Sequence, residues 1–203
     1  MIFDLHVHTN CSDGLLTPEQ VVDLALDKEL DGIAITDHDT VSGIEIAMEY
    51  SKNLNIKVIP GIEFGCVYEG EEVHILGYFI DYRAKDIIWA TEELRHNRIN
   101  RAIEMINKIN DLGMDLTVKE VTKFSKEDFI GRPHIARALI EKGYFESIEE
   151  AFESILGRGK PAYVERKTLS IKETIDLIHK ISGIAILAHP GLLNNKNIID
   201  YCI

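Results

Sequence analysis

At 203 residues, 45% of them hydrophobic, the chain is long enough for one well-buried core with a modest additional lobe. A formal net charge of −12 excludes the broad basic surface that duplex nucleic acid needs, but leaves small anionic substrates open, because divalent cations can reverse the field inside one pocket. No apolar run approaches the roughly 20 residues of a membrane span, Met1-Ile2-Phe3-Asp4 lacks a signal-peptide start, and Cys11, Cys66 and Cys202 form neither a disulfide framework nor a thiolate metal set. A cytoplasmic protein with no membrane partner is expected.

Apolar and polar residues alternate from Ile2 to His8, so a strand here puts Asp4, His6 and His8 on one face and Phe3, Leu5 and Val7 on the other. Side chains two apart on a strand sit roughly 6.5 to 7 Å apart, near enough for two imidazoles to converge on one metal ion. Asp13 arrives from the Ser12-Asp13-Gly14 turn. Thr17-Pro18-Glu19-Gln20 opens a helix with a capping box, and Ile33-Ala34-Ile35-Thr36 is a short buried strand running into Asp37-His38-Asp39. Ser42-Gly43-Ile44-Glu45 caps the next helix, and Ile56 to Ile62 predicts a third strand ending at Glu63.

Phe64 to Tyr68 and Val73 to Ile80 predict a hairpin around Glu69-Gly70-Glu71-Glu72, with His74 on its return arm. From about Tyr82 to about Val164 the signals are helical only: Ile87 to Leu112, a cap at Thr117, Pro133 to Lys142, and Ser147 capping Ala151 to Leu156. Residues 1–81 and 165–203 are therefore expected to form an α/β domain, and 82–164 an inserted helical subdomain. Ser170 caps one more helix before Ile184 to Ala188, a buried strand that delivers His189.

Strand C-termini face one crevice in parallel α/β folds, so His6, His8, Asp13, His38, Glu63, His74 and His189 can meet despite their separation in sequence. Imidazoles and carboxylates without thiolates suit zinc, manganese or iron in a catalytic site. Glu63 is the strongest member, since a carboxylate after a buried strand costs several kcal/mol unless paired or bound to a cation. His38, between two aspartates, reads equally as a hydrogen-bonded turn histidine. His96 and His179 sit on presumed amphipathic helices, where a surface or core-edge role is expected.

The set His6-Val7-His8, Ser12-Asp13-Gly14, Thr36-Asp37-His38-Asp39, Gly61-Ile62-Glu63, His74 and Ala188-His189-Pro190 resembles the PHP (polymerase and histidinol phosphatase) family over the whole chain. The insert with Gly131-Arg132-Pro133-His134-Ile135-Ala136-Arg137 resembles its branch of small phosphoesterases acting on nucleotide 3′,5′-bisphosphates and short RNA ends. The resemblance implies an α/β fold, a distorted (β/α)7 barrel, with up to three divalent ions. One ion would sit on His6, His8 and Glu63, a second on Glu63, His74 and His189, and a third on Asp13 and His38. The family's further Asp-x-His strand has no counterpart in this sequence. An incomplete barrel, with the first and third ions each one ligand short, is the expectation.

A hydroxide bridging two such ions would be the nucleophile, with no role for Ser12 or Cys11. Arg132, His134 and Arg137 surround a Pro-initiated helix start, where backbone N–H groups and guanidinium forks favour a substrate phosphate. Arg137 could instead pair with Glu141 one turn on. Gly157-Arg158-Gly159-Lys160 is a weaker basic loop. A small phosphorylated substrate, nucleotide or short oligonucleotide, is expected. The alternatives are a histidinol-phosphatase-like monoesterase, against which the helical insert counts, and a non-catalytic metal-binding module, motivated by the missing strand.

Overall fold

The computed structural model describes residues 1–124 and 130–202. Two units emerge: an α/β unit of Met1–Glu92 with Thr168–Ile203, and a helical unit of Glu93–Lys167. The chain therefore passes between them inside helix α3 (Lys85–Asp111) rather than at residue 82. The first turn of α3 stays with the α/β unit because Ile87 is fully buried there and Asp86 pairs with Lys180 at 2.6 Å.

The α/β unit is built on one curled five-stranded sheet in the order β1 (Phe3–Val7), β2 (Gly32–Ile35), β3 (Lys57–Tyr68), β4 (Glu71–Tyr78), β5 (Ile184–Leu187). It presents five of the strands of the expected barrel, with β1 and β5 as edges. Leu5, Ile184 and Ile186 are consequently exposed although their strands carry apolar patterns. β1, β2 and β3 run parallel, whereas β4 is antiparallel to both β3 and β5. Helices α1 (Pro18–Asp27) and α2 (Ser42–Ser51) make the parallel crossovers, and α7 (Ile171–Lys180) leads into β5. Ile33, Ile35, Ile44, Ile62, Phe64 and Ile75 are buried at its centre.

Two local expectations change. The third strand and the first hairpin arm are one continuous strand, β3, because its parallel partner β2 ends where its antiparallel partner β4 takes over. The hairpin turn contracts to Glu69-Gly70, both at positive φ, and the return strand starts at Glu71. Ser42 does not cap α2: Val41 occupies that position, and the Ser42 N–H donates to Thr40 Oγ1. The capping boxes at Thr17-Gln20, Thr117-Glu120 and Ser170-Glu173 form as their spacing predicts.

The helical unit has its own core. Met105, Ile106, Ile109, Leu116, Val121, Ile135, Leu139 and Leu156 pack together from α3, α4 (Val118–Thr122), α5 (Arg132–Glu141) and the segment after α6 (Ile148–Ala151). That last segment, Phe152–Leu156, continues α6 as a π-turn rather than an α-helix. A short terminal helix, α8 (Asn197–Cys202), closes the α/β unit. No helix among the described residues is long and apolar enough to cross a membrane.

Candidate metal centre

Seven side chains converge on the sheet of the α/β unit, and backbone geometry accounts for each. β1 stops at Val7, where Thr36 N donates to Val7 O and ends the parallel ladder, so His8 projects beyond the strand while His6 lies two residues back on the same face. The chain then turns through Asn10 to Gly14. Gly14 makes that turn possible: a Cβ there would lie 2.5 Å from the His8 carbonyl oxygen. His38 follows β2 and bridges to Glu63, with Glu63 N donating to Asp37 O and Asp39 N donating to Glu63 O.

Glu63 itself lies inside β3, not at a strand end. His74 sits directly across from Gly65 in the β3–β4 ladder, and opposed residues share a face, which brings its imidazole to the Glu63 carboxylate. Ala188 N donates to His74 O at the end of β5, and His189 follows with a positive φ.

The Glu63 carboxylate is 1% exposed and is met by four imidazoles within 3.1 Å and by a fifth, His38 Nδ1, at 3.5 Å. His6 Nε2 and His8 Nε2 each lie 2.9 Å from its Oε2, and His74 Nδ1 and His189 Nε2 lie 2.9 and 3.1 Å from its Oε1. His74 Nδ1 and His189 Nε2 are 3.2 Å apart. His8 has a second contact, Nδ1 to Asp13 Oδ1 at 2.8 Å, and Asp13 Oδ2 stands 3.8 Å from His38 Nε2. Among the described residues, His6, His8 and Glu63, then His8, Asp13 and His38, and then His38, Glu63 and His74 are each close enough for one ion, and the donor atoms of Glu63, His74 and His189 lie within 3.2 Å of one another.

The electrostatics fit such a cluster. Burial by itself disfavours the charged forms of His8 and His74, yet hydrogen bonds raise both to about 9, through Asp13 and Glu63 for His8 and chiefly through Glu63 for His74. His38 moves the other way, because burial outweighs the attraction of Glu63. Asp13 is held down at about 2 by His8 despite its partial burial. Burial opposes ionisation of Glu63, but its hydrogen bonds to His74 and His8 keep it far below the usual carboxylate range.

The donor set suits a divalent cation. Nitrogen and oxygen donors near 3 Å apart match the edges of a coordination polyhedron with ligand bonds of roughly 2.0 to 2.2 Å. A shared carboxylate ringed by imidazoles also gives a cation what a single hydrogen-bonded pair does not, several lone pairs aimed at one volume. His74 Nε2, on the far side of its ring, is buried with no hydrogen bond and lies 3.5 Å from Glu72 Oε1.

Arg132, His134 and Arg137 all lie on α5 in the helical unit. The Arg132 guanidinium lies over the Phe152 and Tyr163 rings at 5.3 and 5.7 Å. His134 Nδ1 accepts from Gly131 N at 3.0 Å and so closes the start of the helix. Arg137 is exposed, and Glu141, the alternative partner for Arg137, pairs with Lys123 at 3.7 Å. Three residues the sequence did not single out also organise the site: Thr9, Asp37 and Asp39 are buried, and the Asp39 carboxylate accepts from Gly65 N two residues past Glu63.

A parallel-to-antiparallel sheet carrying imidazoles and carboxylates on one face places the chain among α/β proteins with a candidate metal site. Among these, the PHP domain model matches residues 4–186, and the chain belongs to that family. The 5′-3′ exoribonuclease Rnm of Escherichia coli is 36% identical over 199 residues, covering 96% of this chain and 67% of that protein. A 3′,5′-nucleoside bisphosphate phosphatase of Chromobacterium violaceum is 30% identical over 189 residues, covering 93% of this chain and 66% of that protein. The chain thus spans about two thirds of the length of these relatives. A crystal structure of a proposed metal-dependent phosphoesterase from Bifidobacterium adolescentis superposes with a TM-score of 0.82 at 30% identity, covering 98% of this chain and 73% of that one.

Proposed function

We propose that this chain is a metal-dependent phosphoesterase, with nucleoside 3′,5′-bisphosphates or short RNA ends as substrates. The observation that carries it is the buried Glu63 carboxylate shared by His6, His8, His74 and His189, with Asp13 and His38 beside it. His6, His8 and Glu63 would hold one divalent ion, Glu63, His74 and His189 a second, and Asp13 and His38 a third; manganese, zinc and iron all suit these donors. Bound there, divalent ions acidify water and neutralise phosphate oxygens.

The protein's own part is positional. Glu63 fixes the spacing of two donor groups with one side chain, and His8 faces Glu63 with Nε2 and Asp13 with Nδ1, which locks its ring orientation. Substrate phosphate is read as the task of Arg132, His134 and Arg137 on the same helix, where His134 Nδ1 accepts from Gly131 N. The activities of the relatives support the substrate class, and the net charge of −12 fits a small-molecule or short-oligonucleotide substrate rather than duplex nucleic acid.

The test is a manganese-supplemented turnover assay on adenosine 3′,5′-bisphosphate, a dinucleotide and histidinol phosphate. Release of phosphate or nucleotide from the first two, abolished by chelator, is expected. Hydrolysis of histidinol phosphate alone would overturn the substrate class, and hydrolysis of none, with metal bound, would overturn the enzymatic reading.

A further inference from the structure

We propose that Asp37 is a positioning residue that holds the loop of residues 9–13 against the segment after β2 that carries His38, and thereby sets His8 and Asp13 opposite His38. The proposal rests on the reading of His8, Asp13 and His38 as metal ligands, and it concerns a residue outside that ligand set.

Asp37 is 1% exposed and immediately precedes His38. Its Oδ1 accepts from Thr9 N at 2.7 Å and from Ser12 Oγ at 2.6 Å, and its Oδ2 accepts from Thr9 Oγ1 at 2.7 Å. All three donors lie in the loop that presents Asp13. Thr9 passes the constraint on. Its hydroxyl accepts from Cys11 N, and its carbonyl accepts from Ser12 N and Gly14 N, so the turn around Asp13 is tied to a residue that Asp37 grips twice. The Asp37 carbonyl meanwhile accepts from Glu63 N. One residue therefore joins the loop, β2 and β3 at the point where their ligands meet.

The packing around this carboxylate is closed. A Cβ on Gly43, in the first turn of α2, would stand 2.8 Å from Asp37 Oδ2 and 3.1 Å from Thr9 Oγ1. The helix thus approaches as closely as a backbone can, and the carboxylate has no alternative rotamer space on that side. Three short bonds converging on one buried carboxylate fix the loop to within a hydrogen bond's tolerance, which a metal site needs of its ligands.

The experiment is manganese binding by the whole chain, followed by calorimetric titration and by elemental count after dialysis, in wild type, Asp13→Ala, Asp37→Ala and Asp37→Asn. Circular dichroism reports the fold. Asp37→Ala is expected to weaken the same class of site that Asp13→Ala weakens, by about 10- to 100-fold, the usual effect of removing a group that orients a metal ligand. The remaining class stays bound. Asp37→Asn restores most of the affinity, because an amide oxygen still accepts from Thr9 N and Ser12 Oγ while its NH2 donates to Thr9 Oγ1.

A wild-type isotherm for Asp37→Ala, with Asp13→Ala impaired, overturns the positioning role. So does parallel loss of every site in Asp37→Ala with no recovery in Asp37→Asn, which marks a merely structural residue. An unchanged isotherm for Asp13→Ala overturns instead the ligand reading beneath it. Should Asp37→Ala be recovered unfolded, Ser12→Ala carries the test: it removes the 2.6 Å bond to Asp37 together with a long 3.4 Å contact to Asp13 Oδ1, and is expected to weaken the same class by a smaller factor, and no change overturns the proposal.

Discussion

Glu63 shows how much one side chain can be asked to do. A carboxylate at 1% exposure would cost several kcal/mol if left alone, and four imidazoles within 3.1 Å supply the compensation in the metal-free chain. A bound cation would supply it more completely, because every one of those nitrogens can then use its lone pair. Glu63→Gln preserves the volume and one acceptor but removes the negative charge from both flanking donor groups. Manganese content after dialysis should fall at least tenfold, read by elemental analysis, with the far-ultraviolet spectrum unchanged; retention of the wild-type content would show that Glu63 is a structural hydrogen-bond acceptor only. Six of the seven candidate ligands were legible as residues because each is a polar side chain on or just after an apolar strand pattern, and the seventh, Asp13, because a Ser-Asp-Gly turn follows the first strand. Asp37 was not: its partners are a main-chain N–H and two hydroxyls at 25 and 28 residues' remove, and no periodicity encodes such bonds.

At the level of elements, capping boxes and alternating patterns located most helices and strands, since both are local rules. What escaped was set by partners far away in sequence. β3 reads as two strands because Gly61 and Glu63 interrupt its apolar run, and it becomes one only because β4 pairs along its second half. The π-turn at Phe152–Leu156 likewise has no local signature, yet it places Phe152 under the Arg132 guanidinium. In the helical unit the irregular stretch around Tyr163 is held by side chains of α3: Arg101 Nε donates to Val164 O at 2.8 Å, and Lys108 Nζ donates to Tyr163 O at 2.9 Å. Tyr163 in turn lies 5.7 Å from the Arg101 and Arg132 guanidinium groups. Arg101→Ala should cost roughly 1 to 2 kcal/mol, the loss of a partly buried charged donor, measured as a lower urea midpoint. It should also raise KM for a bisphosphate substrate if the Arg132 side chain depends on that ring for its placement. An unchanged midpoint would mean that the stretch is fixed by its neighbours alone.

For the whole molecule, the same cluster couples stability, protons and metal, and the direction of each follows from the titration of its groups. His8 and His74, ordinarily near 6.5, are raised to about 9 in the metal-free fold, so their contribution to stability is complete below pH 6.5 and disappears as pH climbs through 9. Asp13, lowered to about 2 from 3.8, contributes above pH 3.8 and loses its contribution as pH falls toward 2. The His8–Asp13 bond underlies the His8 and Asp13 trends, seen from its two ends, so the metal-free protein should be most stable between about pH 4 and 6.5 as far as His8, His74 and Asp13 decide, while His38, whose pKa burial lowers, pulls the other way as pH falls below 6.5. Metal needs the opposite condition. Each imidazole must shed its proton before it can ligate, so affinity rises across the interval in which the metal-free cluster weakens. Melting curves recorded from pH 5 to pH 9, one set with chelator and one with saturating manganese, should therefore diverge: the chelated protein loses Tm above pH 6.5, while the gap between the two sets widens because ligand stabilisation grows with affinity. A gap that stays constant over that range would mean that manganese binds away from His8 and His74. In that event the shared carboxylate would be a proton-linked structural knot, and the ions would have to be sought on other donors.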